Sequence, residues 1–263
     1  MKTVKINIRL PLASCAGKNL KAFLLLASLS LFTISVASTA FAQKKFSKNF
    51  PARKNITVVL NNWSGAVTVE GWDKPFIEIK ADMEAPTARV LPQVDDSGIK
   101  IDVVRDNQGR GDVGSVNFRI RVPIDSSVDI ETTYGDLTVN NVRGSTVRAH
   151  VSSEGNVTLT QIRSRHVMVH NVMGDILFDG ELLSEGIYTL QSTAGNINIR
   201  IPENSAFNLV ASAPATRDIT LGPFAGSGLN YISDRRKVTG NVGDARAKLS
   251  IVNQRGSISF IRR

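Results

Sequence analysis

Apolar and polar residues alternate along most of the chain beyond residue 54. Period-two alternation bounded by Gly, Pro, Asn and Asp is typical of half-buried strands. Before residue 123 the alternating apolar positions are Ile56, Val58 and Leu60; Val67 and Val69; Ile77 and Ile79; Ile99, Ile101 and Val103; and Val116, Phe118, Ile120 and Val122. No window beyond residue 43 has apolar residues at helical spacing, so the sequence predicts an all-β fold.

A five-residue pattern recurs four times in the middle of the chain: Gly, then Asp or Asn, then apolar, polar and apolar positions. Its glycines are Gly135, Gly155, Gly174 and Gly195, which stand 20, 19 and 21 residues apart. A fixed period of this size is typical of repeat architectures in which every copy buries its apolar side against its neighbours. The Gly-Asx step predicts a corner, because glycine accepts positive φ and the Asx side chain can bond nearby backbone amides.

Each copy predicts one strand before the corner and one after it. Alternate residues of a strand point to the same side, so stacked copies would form two apolar ladders that face each other. The ladder positions are Val128, Ile130, Val147, Ala149, Val167, Val169, Tyr188 and Leu190 before the corner, and Leu137, Val139, Val157, Leu159, Ile176, Phe178, Ile197 and Ile199 after it. The predicted fold is a β-solenoid, similar to a single-stranded β-helix, with coils of about 20 residues.

The predicted organisation has four parts. Residues 1–42 form a signal peptide, 43–54 a polar and basic tether, 55–122 an N-terminal antiparallel β region, and 123–263 the solenoid. Residues 55–263 would then be one continuous domain. A solenoid exposes strand edges at both ends, which invites aggregation unless they are covered, so the 55–122 region is predicted to cap one end. The copies after residue 207 are less regular, since Arg217 stands where the corner glycine is expected.

The N-terminal composition predicts export. Residues 1–21 contain five basic and no acidic residues, residues 22–36 are almost wholly apolar, and Ala40-Phe41-Ala42 is an A-x-A cleavage site. The expected location is the periplasm, the outer cell surface or the exterior, with no integral membrane segment after cleavage behind Ala42. The alternative is an uncleaved anchor, because the stretch between Lys21 and Gln43 is long enough to span a bilayer.

Charge and cysteine content narrow the choice of partners. The formal net charge is +9, but the first 42 residues hold five of the 32 basic residues and none of the 23 acidic ones. The remainder is only weakly basic and its charge is thinly spread, so no nucleic-acid partner is predicted. The one cysteine, Cys15, precedes the apolar segment, so the cleaved chain has no disulfide.

The histidines and the corner residues are candidates for metal binding. His150 and His170 are predicted to point outward on neighbouring coils, but two imidazoles are too few for a closed zinc site, and His166 with His170 lacks the companions of a metalloprotease motif. Asp136, Asn156, Asp175, Asn196 and Asp218 form a polar row at the corners. Backbone bonding is the favoured role of that row, so no metal ion and no cofactor are predicted.

Hydrolysis of a glycan would need two opposed carboxylates. The sequence places Asp129 and Glu131 side by side on one strand and groups Asp179, Glu181 and Glu185 in one loop. No catalytic residues are therefore predicted.

Two further sets of side chains are candidates for a binding surface. Trp63 and Trp72 could stack on sugar rings, although tryptophans beside turns are more often part of a core or cap. Apolar residues occupy four predicted outward positions, Met168, Leu177, Val210 and Val252. They indicate either a partner surface or a loop that covers the face.

Several segments together resemble the bacterial adhesin-like family DUF4097, which is related to the head GIN domain proteins. The segments that carry the resemblance are 65–73 (GAVTVEGWD), 121–123 (RVP), 132–139 (TTYGDLTV) and 192–197 (STAGNI). The resemblance covers about residues 55–263 and implies an exported β-solenoid without catalytic residues.

The sequence therefore predicts an exported, non-enzymatic, adhesin-like protein that binds an envelope, matrix or glycan component. One alternative is a structural or regulatory envelope protein that binds another protein. A β-helix enzyme acting on polysaccharides is a third possibility. The sequence leaves the oligomeric state and the role of His150 and His170 open.

Overall fold

The computed structural model describes residues 44–84, 88–105, 114–214, 219–232 and 236–263. The signal-peptide prediction and the irregular corner at Arg217 and Asp218 lie outside these residues. No helix in the described part of the chain has the length and hydrophobicity needed to cross a membrane.

The described residues form strands joined by short turns, with one 3-10 helix at Gly222–Phe224. The first seven strands are β1 (Lys44–Pro51), β2 (Thr57–Ser64), β3 (Val67–Trp72), β4 (Phe76–Met83), β5 (Ala88–Val94), β6 (Gly98–Arg105) and β7 (Val116–Pro123). The central strands are β8 (Ser127–Tyr134), β9 (Leu137–Asn140), β10 (Thr146–Glu154), β11 (Val157–Ile162), β12 (His166–Met173), β13 (Ile176–Gly180), β14 (Ile187–Ala194) and β15 (Ile197–Arg200). The last six are β16 (Phe207–Ser212), β17 (Ile219–Thr220), β18 (Leu229–Ile232), β19 (Lys237–Val242), β20 (Ala247–Asn253) and β21 (Ile258–Phe260).

These strands assemble into two large mixed sheets. Sheet A has the order β1-β4-β7-β3-β9-β11-β13-β15-β21-β17, and sheet B has the order β18-β19-β16-β20-β14-β12-β10-β8-β2-β6-β5. Pairing is parallel through the middle of both sheets. It is antiparallel near both ends of sheet B and at the β1 end of sheet A, whereas β17 pairs in parallel at the other end of sheet A. The prediction of an all-β, solenoid-like fold is confirmed.

The middle of the molecule is a stack of four layers, each made of one strand from each sheet joined at a glycine: β8–β9, β10–β11, β12–β13 and β14–β15. In sheet B, Val147 pairs with Val128 on one side and Val167 on the other. In sheet A, Val157 pairs with Leu137 and Ile176 in the same way. Every predicted ladder position is at most 2% exposed, so the aliphatic side chains of the two sheets form the core between them.

The stacking order departs from the chain order at both ends. At the C-terminal end, β20 and β21 pair with β14 and β15, and β16 and β17 lie outside them although they come earlier in the chain. At the N-terminal end, β2 and β3 pair with β8 and β9, and β6 and β7 lie outside. The boundary expected at residue 123 therefore does not interrupt either sheet.

Residues 43–54 were predicted to be a tether, but most of this segment is a strand in the structure. Residues 44–51 form β1, which pairs residue for residue with β4. Phe46 and Phe50 supply the physical reason, because both lie on the inner side and pack against the core. Lys44 and Lys48 alternate with them on that side, which hides the apolar pattern in the sequence. Lysines on an edge strand also discourage the addition of a further strand, and both Lys44 and Lys48 are exposed.

Aromatic side chains close the opposite end of the core. The rings of Phe207, Phe224 and Phe260 form a cluster with centroid distances of 5.2, 5.7 and 6.2 Å. Phe224 belongs to the 3-10 helix and is buried. The Tyr231 hydroxyl donates to the Ile219 carbonyl oxygen at 2.9 Å, which ties the edge strand of sheet B to the edge strand of sheet A.

Candidate binding face

The glycine corners stack so closely that only glycine fits. A Cβ atom built on Gly155 would lie 2.1 Å from the carbonyl oxygen of Gly135, and one on Gly174 would lie 2.2 Å from that of Gly155. Both glycines also have positive φ, which other L-residues rarely adopt. The corner glycines therefore adopt the positive φ that the sequence predicted. The close approach of successive layers is a second reason why glycine is needed there.

Asx side chains bond these layers to one another on the outside of the corner. The Oδ1 atoms of Asp136, Asn156 and Asp175 each accept the backbone N–H of the next corner residue, at 2.8, 2.9 and 2.7 Å. Asn196 continues the series to the backbone N–H of Ser257 at 3.1 Å. The predicted backbone bonding is thus found, but it joins neighbouring layers instead of closing a single turn. Asp218 lies outside the described residues.

The outward side of sheet B carries two rows of side chains that we call the sheet B face. The first row runs through Asp129, Arg148, Met168 and Thr189, and the second through Glu131, His150, His170 and Gln191. Members of a row are direct register partners on β8, β10, β12 and β14. Because the alternate positions are buried aliphatic residues, both rows face away from the core. Neighbouring members stand about 4.8 Å apart, the spacing of adjacent strands.

The charged groups of this face are paired with one another. The Arg148 Nη1 donates to both carboxylate oxygens of Asp129, at 2.9 and 3.1 Å. The Glu131 Oε1 lies 3.9 Å from the His150 Nδ1, and the His150 and His170 rings are stacked with centroids 4.8 Å apart. Desolvation lowers the pKa of His150, with Glu131 acting in the opposite direction. The predicted outward placement of both histidines on neighbouring layers is confirmed.

The outward apolar positions lie on different sheets. Met168 and Val210 are 53% and 41% exposed on sheet B, and Val252 is half-buried on the same sheet. Leu177 is half-buried on sheet A, so it does not belong to the same surface.

Two exposed aromatic rings flank the sheet B face at its corner end. The Trp63 and Tyr134 ring centroids are 6.5 Å apart in an edge-to-face arrangement. The sequence identified Trp63 as a candidate but gave no sign of Tyr134 as its neighbour, because the two residues come together only through the pairing of β2 with β8.

Trp72 lies apart from this face, at a cavity of about 320 Å³ whose lining includes Arg53, Lys74 and Asp125. The Lys74 ammonium and the Arg121 guanidinium lie 4.8 and 5.5 Å from the centre of its ring. Its indole N–H donates to the Phe76 carbonyl oxygen at 2.9 Å. These contacts occupy the ring, so Trp72 serves to fix the β3–β4 turn.

Three of the five carboxylates considered for hydrolysis contact arginines: Asp129, Asp179 and Glu181. Asp179 lies in β13 and contacts Arg200 at 3.7 Å and Arg263 at 3.2 Å. Glu181 contacts Arg163 at 3.3 Å. Among the described residues, no three His, Cys, Asp or Glu side chains are placed to hold a metal ion together.

The sequence missed Arg148, Thr189 and Gln191 as members of the face. Each stands one coil away from a residue that was considered, so their common position in the period was the available signal. Their types carry no distinctive chemistry, which is why only the observed register brings them to attention.

Comparison with solved structures finds low-identity resemblances over most of the chain. A candidate cell adhesion protein from Clostridium sporogenes is 10% identical, with 84% of this chain and 100% of that chain covered and a TM-score of 0.49. A candidate adhesin from Bacteroides fragilis is 13% identical, with 84% and 99% covered and a TM-score of 0.38. A candidate lipid binding protein from Parabacteroides distasonis is 9% identical, with 83% and 97% covered and a TM-score of 0.31. At these identities and TM-scores the resemblances carry no information about function.

Comparison with curated proteins finds no match. A family model described as Toastrack DUF4097 matches residues 5–259, nearly the whole chain. The resemblance drawn from the sequence motifs is thereby confirmed, and the chain belongs to the Toastrack DUF4097 family.

Proposed function

We propose that the protein is an exported, non-enzymatic, adhesin-like binding protein that holds an extended glycan of the envelope or matrix along the sheet B face. The observation that carries the proposal is the row Glu131, His150, His170 and Gln191, which places one polar side chain on each of four successive layers, in register and at a fixed spacing. A linear polymer with repeating hydroxyl groups can meet one hydrogen-bonding side chain of this row on each layer. The exposed rings of Trp63 and Tyr134 add an apolar surface at one border of the face.

The pairing of the carboxylates supports a binding role over hydrolysis. Asp129 accepts two hydrogen bonds from Arg148, and Glu131 lies beside His150 on the same side of the sheet. Glycoside hydrolysis needs one carboxylic acid and one carboxylate on either side of the scissile bond. The engagement of Asp129 by Arg148 therefore supports recognition over hydrolysis on the sheet B face.

Blocking the middle of the face tests the proposal. We expect Thr189→Arg to abolish binding to the glycans that the wild-type protein selects on a glycan array, because a long charged side chain would stand in the path of the polymer. Thr158→Arg is the matched control, since Thr158 is also a half-buried outward threonine but lies on sheet A. Equal binding by both variants would refute the proposed face. Wild-type protein that binds no glycan and captures an envelope protein would refute the ligand class.

Export is part of the same proposal. The A-x-A site at Ala40-Phe41-Ala42 supports cleavage before Gln43. N-terminal sequencing of the protein recovered from its native host should give a chain that begins at Gln43, whereas a chain that begins at Met1 would contradict cleavage.

We further propose that the stack consists of coils of about 20 residues. Strands β1 to β7 would cap its N-terminal end. Edge protection on β1 supports this role, since Lys44 and Lys48 place exposed charges on this edge strand and Pro51 ends it. Deletion of residues 44–51 should uncover β4 and cause concentration-dependent association in light scattering. A deletion variant that stays monomeric at high concentration would rule out a capping role for β1.

A further inference from the structure

All three histidines of the chain lie on one side of two neighbouring strands. His166 and His170 alternate with Met168 along the outward side of β12, and His150 is the register partner of His170 on β10. Met168 is 53% exposed although its position on the outside of a sheet favours a polar residue. An exposed thioether on the same side of the sheet as two stacked imidazoles is a set of soft and borderline metal ligands. These residues lie within the sheet B face, so a bound ion would occupy part of the proposed glycan site.

We propose that His150, His170 and Met168 form a surface site for one Cu(I) ion. Thioether sulfur selects Cu(I) among the common metal ions, and imidazole nitrogen also suits copper. Zinc would need a fourth ligand or an open position behind three nitrogen, sulfur or oxygen donors. The described residues offer no such group of three among His, Cys, Asp and Glu, so a soft ion with a low coordination number is the one that this set of ligands fits.

The two rings can reach a common ion by small rotations. Their planes are within 17° of parallel and their centroids are 4.8 Å apart, so each ring must turn for one nitrogen of each to face the same ion. Rotation about χ2 of histidine is broad and costs little, and the flexible methionine side chain adapts to irregular surroundings. The His150 Nδ1 faces Glu131 at 3.9 Å, which leaves its Nε2 for the ion. Glu131 then acts as the carboxylate partner that commonly orients a metal-bound imidazole.

The charges around the site are compatible with a cation. The nearest guanidinium, Arg148, is neutralised by two hydrogen bonds to Asp129.

A Cu(I) titration under anaerobic, reducing conditions tests the site, with bicinchoninate as the competing chelator. The cleaved protein should take one equivalent of Cu(I). His150→Asn, His170→Asn and Met168→Leu should each weaken binding by at least about tenfold, since even outer-shell partners of a metal site carry effects of that size. X-ray absorption of the complex should show a copper–sulfur contact that Met168→Leu removes.

Two matched controls use residues of the same strand. His166→Asn should leave the affinity unchanged because Met168 separates it from the histidine pair, and Met173→Leu should do the same although Met173 is also exposed, at 51%. Thermal unfolding of each variant checks that the fold is intact. The site is refuted if the protein takes up no Cu(I) in the presence of the chelator, if Met168→Leu binds as tightly as wild type, or if His166→Asn loses as much affinity as His170→Asn.

Discussion

The middle layers and the end layers of this molecule enclose the same core with different strand orders and different pairing. In the middle, from β8 to β15, each layer follows the previous one in chain order and pairs with it in parallel. At the ends the order is crossed, because β20 and β21 pair with β14 and β15 while β16 and β17 lie outside them. Within the part of the chain that the structure describes, the antiparallel pairs, the cluster of Phe207, Phe224 and Phe260, and the edge-strand lysines Lys44 and Lys48 lie near these ends.

The difference follows from what each layer has beside it. A middle layer has a copy on both sides, so its backbone groups, its glycine corner and its Asx side chain all find identical partners. An end layer has a partner on one side only and must cover an open core and an unpaired strand edge. Short edge strands such as β17, with two residues, and the proline in β5 limit the exposed edge. Regularity therefore stabilises the middle, and departures from regularity protect the ends.

The largest loss of stability is expected from a substitution that disturbs one of the regular glycine corners in the middle layers. Gly155→Ala should destabilise the protein by about 4 kcal/mol or prevent folding, because the new Cβ would lie 2.1 Å from the Gly135 carbonyl oxygen at a positive φ. Gly226→Ala is the matched control in the end region, since Gly226 also has positive φ but no atom within 4 Å of its Cβ position. It should cost only about 1 kcal/mol. Urea unfolding of both variants checks the contrast, and equal losses of stability would contradict it.

The second prediction tests how much the aromatic cluster stabilises the C-terminal end of the core. Phe224→Ala should lower the free energy of unfolding by about 3 kcal/mol, because it removes the buried ring that contacts Phe207 and Phe260. Phe50→Ala at the opposite end should cost less, since Phe50 packs on an edge strand and is already 7% exposed. Thermal unfolding of the two variants gives the comparison. A larger loss for Phe50→Ala would mean that the N-terminal edge contributes more to stability than the aromatic cluster.

The same contrast explains what the sequence could predict. The middle layers were predictable because the information is local: a period-two apolar pattern and a glycine at each corner, as in Gly155 to Leu159. The crossed order at the ends was not, because β20 and β16 have similar apolar patterns and either can pair beside β14. The strand at residues 44–51 was missed because Lys44 and Lys48 interrupt its inner side.

The candidate site shows a similar division. The outward placement of His150 and His170 follows from alternation, so the sequence predicted it. The pairing of Asp129 with Arg148 and the proximity of Trp63 to Tyr134 depend on the register between strands and on side-chain rotamers. Neither is specified by the pattern of apolar positions.

A smaller loss of stability is expected when the alternation of Asp and Asn at the corners, from Asp136 to Asn196, is changed. The Asn156 Nδ2–H donates to the Asp136 Oδ1 at 3.2 Å, so Asn156→Asp would replace a hydrogen bond by repulsion and place three carboxylates on successive layers. We expect a loss of about 1 kcal/mol that shrinks at high salt. Asn241→Asp is the control near the C-terminal end, because the Asn241 Oδ1 accepts a hydrogen bond from the Asn208 Nδ2 at 2.6 Å, and an aspartate keeps that acceptor. Urea unfolding at low and high salt gives the stability of both variants. Equal losses would contradict a contribution of the Asp–Asn alternation to stability.

The smallest expected effect is a pH dependence of stability that arises from His150 in the middle layers. Desolvation lowers the pKa of His150 below its ordinary value of 6.5, an effect to which the charges of His170 and Arg148 add and which those of Glu131 and Asp129 oppose. The unfolded chain therefore binds the proton first as the pH falls, so the contribution of His150 to stability is complete above pH 6.5 and is lost as the pH falls through the folded-state pKa. His150→Gln should flatten the stability curve in this window, and His166→Gln serves as the control. If His150→Gln and wild type lose stability in parallel between neutral and mildly acidic pH, the buried environment of His150 is not the cause.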